Sequence, residues 1–240
     1  MKKFIAEFVG TAVLVMMGCG TAMLVGCDPY SSPYGGVGYL LTALAFGLSI
    51  VAMAYCIGNI SGCHVNPAVS LAVLMTGGMK FKEFLGYVIS QILGAFAGSA
   101  ILAIIFNAGM VVDQTELGLS SYGANGLDGV GGSFFAGLVV EIVLTCIFVM
   151  TILGVTSKKA NHGSFGGLII GLTLTFVHIF GIGLTGTSVN PARSIAPAVV
   201  SAINGYTDPL VSLWVFIVGP LAGAALAAVL YRFLEKQKEA

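Results

Sequence analysis

Two Asn-Pro-Ala triplets, Asn66-Pro67-Ala68 and Asn190-Pro191-Ala192, stand in opposite halves of the chain, each ending a longer shared string, Gly-x-x-Val-Asn-Pro-Ala. A proline suits the first helical position, where its missing N–H would be unpaired anyway, and an asparagine before it can cap the helix through its side-chain oxygen. The amide NH2 is then aimed at the space ahead of the helix. That end also holds about four unpaired N–H groups and roughly half a positive charge. Two such ends facing each other would form an electropositive centre that donates hydrogen bonds to a neutral oxygen and repels a cation. Arg193, immediately after the second triplet, would add a permanent charge there. This is chemistry of recognition and passage. No catalytic group, cofactor site or metal set is assigned, and no enzyme is expected.

The elements that must position these residues follow from composition. The 240 residues are 57% hydrophobic and 8% charged, with a mean hydropathy of +1.00, against about 25% charge in soluble proteins. So little charge could not cover a soluble surface, which points to a lipid bilayer and away from soluble enzymes and nucleic-acid binders. The five cysteines, Cys19, Cys27, Cys56, Cys63 and Cys146, are odd in number and form no CxxC pair, which argues against a disulfide framework or metal cluster.

Six stretches approach the roughly 20 apolar residues a membrane helix needs: about 4 to 26, 37 to 58, 83 to 106, 132 to 155, 164 to 183 and 210 to 233. Two shorter segments, from Pro67 to about Gly77 and from Pro191 to about Ile203, read as half-helices. Lys2, Lys3, Lys80, Lys82, Lys158, Lys159, Arg232, Lys236 and Lys238 all fall on one side of six crossings, which the positive-inside bias makes cytoplasmic, with both termini there. Asp28, Asp113, Glu116, Asp128 and Asp208 fall on the other. Arg193 alone lies within a half-helix. An intramembrane charge commonly lines a pathway, and an interfacial arginine snorkelling to the headgroups is the alternative.

With Asn66 placed on Asn190, the matches include Gly47/Gly171, Leu48/Leu172, Gly62/Gly186 and Val65/Val189. The first spans of the two halves match too, with Glu7 and Thr11 recurring as Glu141 and Thr145. Each half has three spans, so the second copy must enter the membrane upside down. The two triplets then dip in from opposite faces and meet near the midplane. The expected fold is a single all-α integral membrane domain over 1–240, with six transmembrane helices and two re-entrant half-helices. Its inverted repeats cover about 1–106 and 132–240, and the loop 107–131 joins them across the outer face.

Before each triplet runs a Gly-rich stretch, residues 58 to 65 and 181 to 189. Irregular backbone at membrane depth must be buried in protein or border a wet cavity. Gly62, Cys63, His64 and Val65, with Gly186, Ser188 and Val189, are therefore the expected pore-lining loops, offering carbonyls to a file of solvent. Glu7 and Glu141 could hold these loops by accepting backbone N–H bonds; for Glu7 a headgroup-level position is the alternative. Small-x-x-x-small patterns at Gly94 to Gly98 and Gly219 to Gly223 suit close helix contacts within or between subunits.

The strings Ser61 to Val69 and Thr187 to Ser194, with Ala-Glu-Phe-x-Gly-Thr at 6 to 11, resemble the aquaporin family, the major intrinsic proteins, and within it the bacterial Z type most closely. The resemblance covers essentially the whole chain. It implies an inverted-repeat aquaporin fold, a homotetramer of independent pores in the plasma (inner) membrane, no cofactor, and a selectivity filter of Phe46, His178, Thr187 and Arg193. Arg193 would supply fixed donors, His178 would narrow the bore, Phe46 would form an apolar wall, and Thr187 would contribute mainly its carbonyl. Glycerol-conducting relatives usually carry a smaller residue at the His178 position and an aspartate at the Ser194 position. The implied function is passive water permeation that excludes protons and ions, and a facilitator of glycerol or another small neutral solute is the alternative. By the repeat Cys63 matches Thr187 and faces the pore, or else is a buried inert thiol. A coupled transporter would need an intramembrane carboxyl poised for protonation, and apart from Glu7 and Glu141 the chain carries none.

Overall fold

The computed structural model describes residues 1–26, 36–107, 121–157, 159 and 162–236. Cys27, Asp28, Asp113, Glu116, Lys158, Lys238 and the stretch 108–120 of the joining loop lie outside them. Apolar runs in a medium without water satisfy their backbone only as helices or closed barrels, and among the described residues the regular elements are all helical. In chain order they are α1 (Lys2–Val25), α2 (Gly36–Ser61), α3 (Pro67–Met75), α4 (Phe81–Asn107), α5 (Phe134–Val155), α6 (Gly166–Thr185), α7 (Pro191–Ile203), α8 (Asp208–Ser212) and α9 (Val215–Lys236). Among the described residues six spans are long and apolar enough to cross a membrane, the last running through α8 and α9. The chain is a multi-pass membrane protein, and its exposed apolar side chains, such as Leu48, Ile104, Phe176 and Phe180, suit contact with lipid.

Two expectations about boundaries need correction. The glycine-rich stretches are shorter than their composition suggests, because α2 stays helical to Ser61 and α6 to Thr185. Glycine weakens a helix in water, where solvent competes for the freed backbone; in an apolar medium that competitor is missing. Each helix continues until another acceptor takes over the backbone N–H groups. The last span is also not continuous from residue 210, since α8 ends at Ser212 and α9 starts at Val215.

Packing follows the repeat. In the first half α1 packs on α2 and α4, in the second α5 packs on α6 and α9, and α2 meets α6 across the middle. At that crossing Gly47 and Gly171, matched by the repeat, face each other. A Cβ on either would lie 2.5 Å from the carbonyl oxygen of the other, so the halves approach this closely only without side chains there. Gly94 and Gly98 likewise sit against the Phe8 and Ala12 carbonyls of α1, and Gly219 and Gly223 against Glu141 and Ile142 of α5. These glycines pack within one chain. The half-helices interlock the halves: α3 packs on α4 and on α9, and α7 on α4 and α9.

Candidate functional site

Each half-helix begins as its sequence dictates. Asn66 and Asn190 hold extended backbone at φ −158° and −155° as N-caps. The Asn66 Oδ1 accepts from the Ala68 N–H at 2.8 Å, and the Asn190 Oδ1 from the Ala192 and Arg193 N–H groups at 3.1 and 3.3 Å. Pro67 and Pro191 open the helices, and Ala68 and Ala192 are fully buried. One amide proton of each asparagine is used inside the protein. Asn66 Nδ2 donates to the Val189 carbonyl at 2.7 Å and Asn190 Nδ2 to the Val65 carbonyl at 2.9 Å. This corrects the picture of a whole NH2 group aimed at the pore. The reciprocal pair ties the two loops together, and one proton per asparagine remains for a passing oxygen.

The loops before the triplets are held from behind. Glu7 and Glu141 are both fully buried, and Glu7 accepts from Ser61 Oγ at 2.6 Å, the His64 N–H at 2.9 Å, the Val65 N–H at 2.6 Å and Gln91 Nε2 at 2.7 Å. Glu141 accepts from Thr185 Oγ1 at 2.7 Å and from the Ser188 and Val189 N–H groups at 2.9 and 2.8 Å. Ser61 matches Thr185, His64 matches Ser188 and Val65 matches Val189, so the two halves repeat the arrangement bond for bond apart from Gln91. A trans peptide points its C=O opposite its N–H, and no peptide bond here is cis. With the N–H groups of 64 and 65 turned to Glu7, the carbonyls of Cys63 and His64 point away from it. The carbonyls of Thr187 and Ser188 point away from Glu141 for the same reason. The conformation is strained: Cys63, Val65, Thr187 and Val189 have φ of 52°, 43°, 47° and 45°, a region that costs a non-glycine residue of order 1–3 kcal/mol. Gly62 and Gly186, at φ 89° and 70°, make the left-handed turns out of α2 and α6 at no such cost.

A passage runs past these carbonyls. At the end of the molecule carrying Lys159 and Glu235 it opens into a cavity of about 700 Å³ lined by Gly62, Cys63 and His64. Further in it narrows to about 10 Å³ between Phe46, His64, Asn66, His178, Asn190 and Arg193, room for about one water molecule. Phe46 and His178 stack there with ring centroids 4.5 Å apart, and the Arg193 guanidinium lies over the Phe46 ring at 4.9 Å. His178 Nδ1 is paired with the Leu174 carbonyl at 2.9 Å, leaving Nε2 buried with no protein partner, like Arg193 Nε. Thr187 is not among the residues lining this narrow cavity; its buried hydroxyl has no partner and packs against Gly181 of α6.

Arg193 is 3% exposed, and among the described residues no carboxyl forms an ion pair with it. Carbonyl dipoles hold it instead: Nη1 donates to the Gly123 carbonyl at 3.0 Å and to Asn125 Oδ1 at 2.6 Å, and Nη2 to the Gly186 carbonyl at 3.5 Å. Its charge is thus oriented beside the small cavity with no carboxyl group of the described residues in contact with it.

Some residues of the site are not visible in the sequence. Asn125, in the joining loop, has no counterpart in the repeat. Gln91 bridges Glu7 and Ser70 Oγ, at 2.7 and 3.0 Å, and Ser70 Oγ is 3.1 Å from His64 Nδ1. Tyr87 donates to the Ser61 carbonyl at 2.6 Å and meets the His64 ring edge-on. The available signal for Gln91 and Tyr87 was a polar atom inside an apolar span. Asn125 could be found only by asking what acceptor a buried arginine would reach.

The description "Major intrinsic protein" belongs to the family model that matches residues 1–231. Relatives named Aquaporin Z are 42% identical in Brucella melitensis, over 98% of this chain and 98% of that protein, and 40% identical in Bradyrhizobium diazoefficiens, over 99% and 95%. A third Aquaporin Z, from Rhodopseudomonas palustris, is 40% identical over 98% and 94%. The crystal structure of an aquaglyceroporin from Plasmodium falciparum shares the fold at a TM-score of 0.84, with 24% identity, over 96% of this chain and 94% of that one.

Proposed function

This chain belongs to the major intrinsic protein family, and we propose that it conducts water passively, in single file, down an osmotic gradient. The observation that carries this reading is the stack of Phe46 on His178 beside the guanidinium of Arg193, where the passage shrinks to about 10 Å³. Water fits such a bore and can regain hydrogen bonds from Arg193, His178 Nε2 and the loop carbonyls. Glycerol needs a wider opening for its carbon chain.

Ions meet two barriers. At the centre the facing N-termini of α3 and α7 make the potential positive. At the filter a guanidinium with no carboxyl group of the described residues in contact does the same. Protons need a continuous water wire, and the remaining N–H of Asn66 and of Asn190 turns the oxygen of a central water toward both triplets, interrupting that wire. We assign Phe46, His178, Thr187 and Arg193 to the filter and Glu7 and Glu141 to support of the pore-lining loops. The unit is read as one domain of two inverted repeats, assembled as a homotetramer in the inner membrane. The termini are placed on the cytoplasmic side, because the basic residues outside the pore gather at that end.

Stopped-flow light scattering of proteoliposomes tests the reading. Under an impermeant osmolyte, water permeability well above that of empty vesicles is expected, with glycerol permeability close to background. Equal rates for the two solutes would replace water selectivity with the glycerol-facilitator alternative, and no rate above background for either would overturn the channel.

A further inference from the structure

Arg193 is the third residue of α7, so its cation sits at the positive end of a helix dipole, an unfavourable place for it. Nothing in α7 itself offers it an acceptor. The repeat offers no precedent either, since the matching residue on α3 is Val69. The second repeat gives it only the 3.5 Å contact with the Gly186 carbonyl; its two shorter bonds come from the joining loop, and the shortest is to Asn125.

Asn125 is 2% exposed and is itself fastened on every side. Its Oδ1 accepts from Arg193 Nη1 at 2.6 Å and from Ser194 Oγ at 2.7 Å, filling both lone pairs. Its Nδ2 donates at 3.0 Å to the Thr185 carbonyl, which lies at the end of α6 and lacks a helical partner. The loop that carries it is seated on the first half. Gly123, at φ 71°, packs where a Cβ would lie 2.6 Å from Cys19 Cβ of α1, and Tyr122 donates to Asn107 Oδ1 at the end of α4 at 2.8 Å.

We propose that Asn125 is a positioning residue for solute discrimination. By locking the rotamer of Arg193 against both halves of the molecule, it sets the bore at the filter. Without its oxygen the guanidinium keeps only the Gly123 carbonyl and a 3.5 Å contact with the Gly186 carbonyl. The side chain then rotates, the narrow bore is no longer held, and the larger solute gains more than water does. This rests on the water-channel reading above.

The test compares glycerol-to-water permeability ratios in proteoliposomes for the full-length protein and Asn125 variants, normalised to the number of inserted channels. Asn125→Leu, which removes the acceptor, and Asn125→Ser, whose shorter hydroxyl draws it back from Nη1, are expected to raise the ratio about tenfold. Asn125→Asp keeps the acceptor for Arg193 and loses only the donor to Thr185, so its ratio should stay within about twofold of wild type. In an Arg193→Ala background, Asn125→Ser should change nothing further, because its effect runs through Arg193. An unchanged ratio in Asn125→Ser overturns the proposal, and so does a loss of discrimination in Asn125→Asp equal to that in Asn125→Ser. Should Asn125→Leu fail to insert, Asn125→Ser decides. Wild-type vesicles that conduct no water would instead sink the channel reading itself.

Discussion

Replacing Glu141 by leucine is expected to open the loop it supports. The substitution keeps the aliphatic stem packed against Gly219 of α9 and removes the acceptor of the Ser188 and Val189 N–H groups. Each buried N–H left without a partner costs about 1–3 kcal/mol, so the two together cost about 2–6 kcal/mol. The Thr185 hydroxyl can turn to another acceptor and adds little. Thr187 and Val189 remain in the left-handed region, and their strain is then no longer offset. Against a typical total stability of about 5–15 kcal/mol, the loop should relax rather than stay in place. At roughly 2–4 °C per kcal/mol for a chain of this size, the unfolding midpoint in detergent should fall by at least about 4 °C, and water permeability per inserted channel should fall with it. Glu141→Gln retains one carbonyl oxygen and should lie between Glu141→Leu and wild type in both measurements. A Glu141→Leu protein with wild-type midpoint and permeability would refute the idea that this carboxyl group holds the strained loop.

Three other tests probe different parts of the pore and its packing. His178→Gly removes the ring stacked on Phe46 and should raise glycerol permeability about tenfold, a barrier change of about 1.4 kcal/mol, as read by vesicle swelling in glycerol; no change would show that the ring does not set the bore. Cys63 lines the wide cavity below the narrow passage, so mercurials should block water flow in the wild type and not in Cys63→Ser, and inhibition of equal strength in both would place the reactive thiol elsewhere. Gly94→Val drives a side chain into the Phe8 carbonyl of α1, whereas Gly154 has open space around it. The unfolding midpoint should therefore drop for Gly94→Val, by the equivalent of about 1–3 kcal/mol, and hold for Gly154→Val; equal shifts would mean close approach is not the reason for the glycine.

Much of the architecture was legible before any coordinates, because membrane helices are written in long apolar runs and because the chain states its plan twice. The half-helices are an example: Asn-Pro announces a capped start whatever the surroundings, and α7 runs from Pro191 to Ile203 as expected. The carboxyl groups of Glu7 and Glu141 were legible for a related reason. A carboxyl group recurring in the first span of each half suggests an acceptor for the nearby loop, and for Glu7 it is burial in the structure that decides against a headgroup position.

The ends of α2 and α6 were misjudged because glycine content signals a helix break in water, whereas in lipid a helix persists until a better acceptor appears. The exchange of amide protons between Asn66 and Val189 and between Asn190 and Val65, the stacking of Phe46 on His178, and the grip of Asn125 on Arg193 were decided only in three dimensions. Spans, caps and repeat register depend on neighbours along the chain, so the residue order alone determines them. Contacts between unlike segments depend on how closely α2 meets α6 and on where the joining loop settles, and that is decided by the packing of all six spans at once.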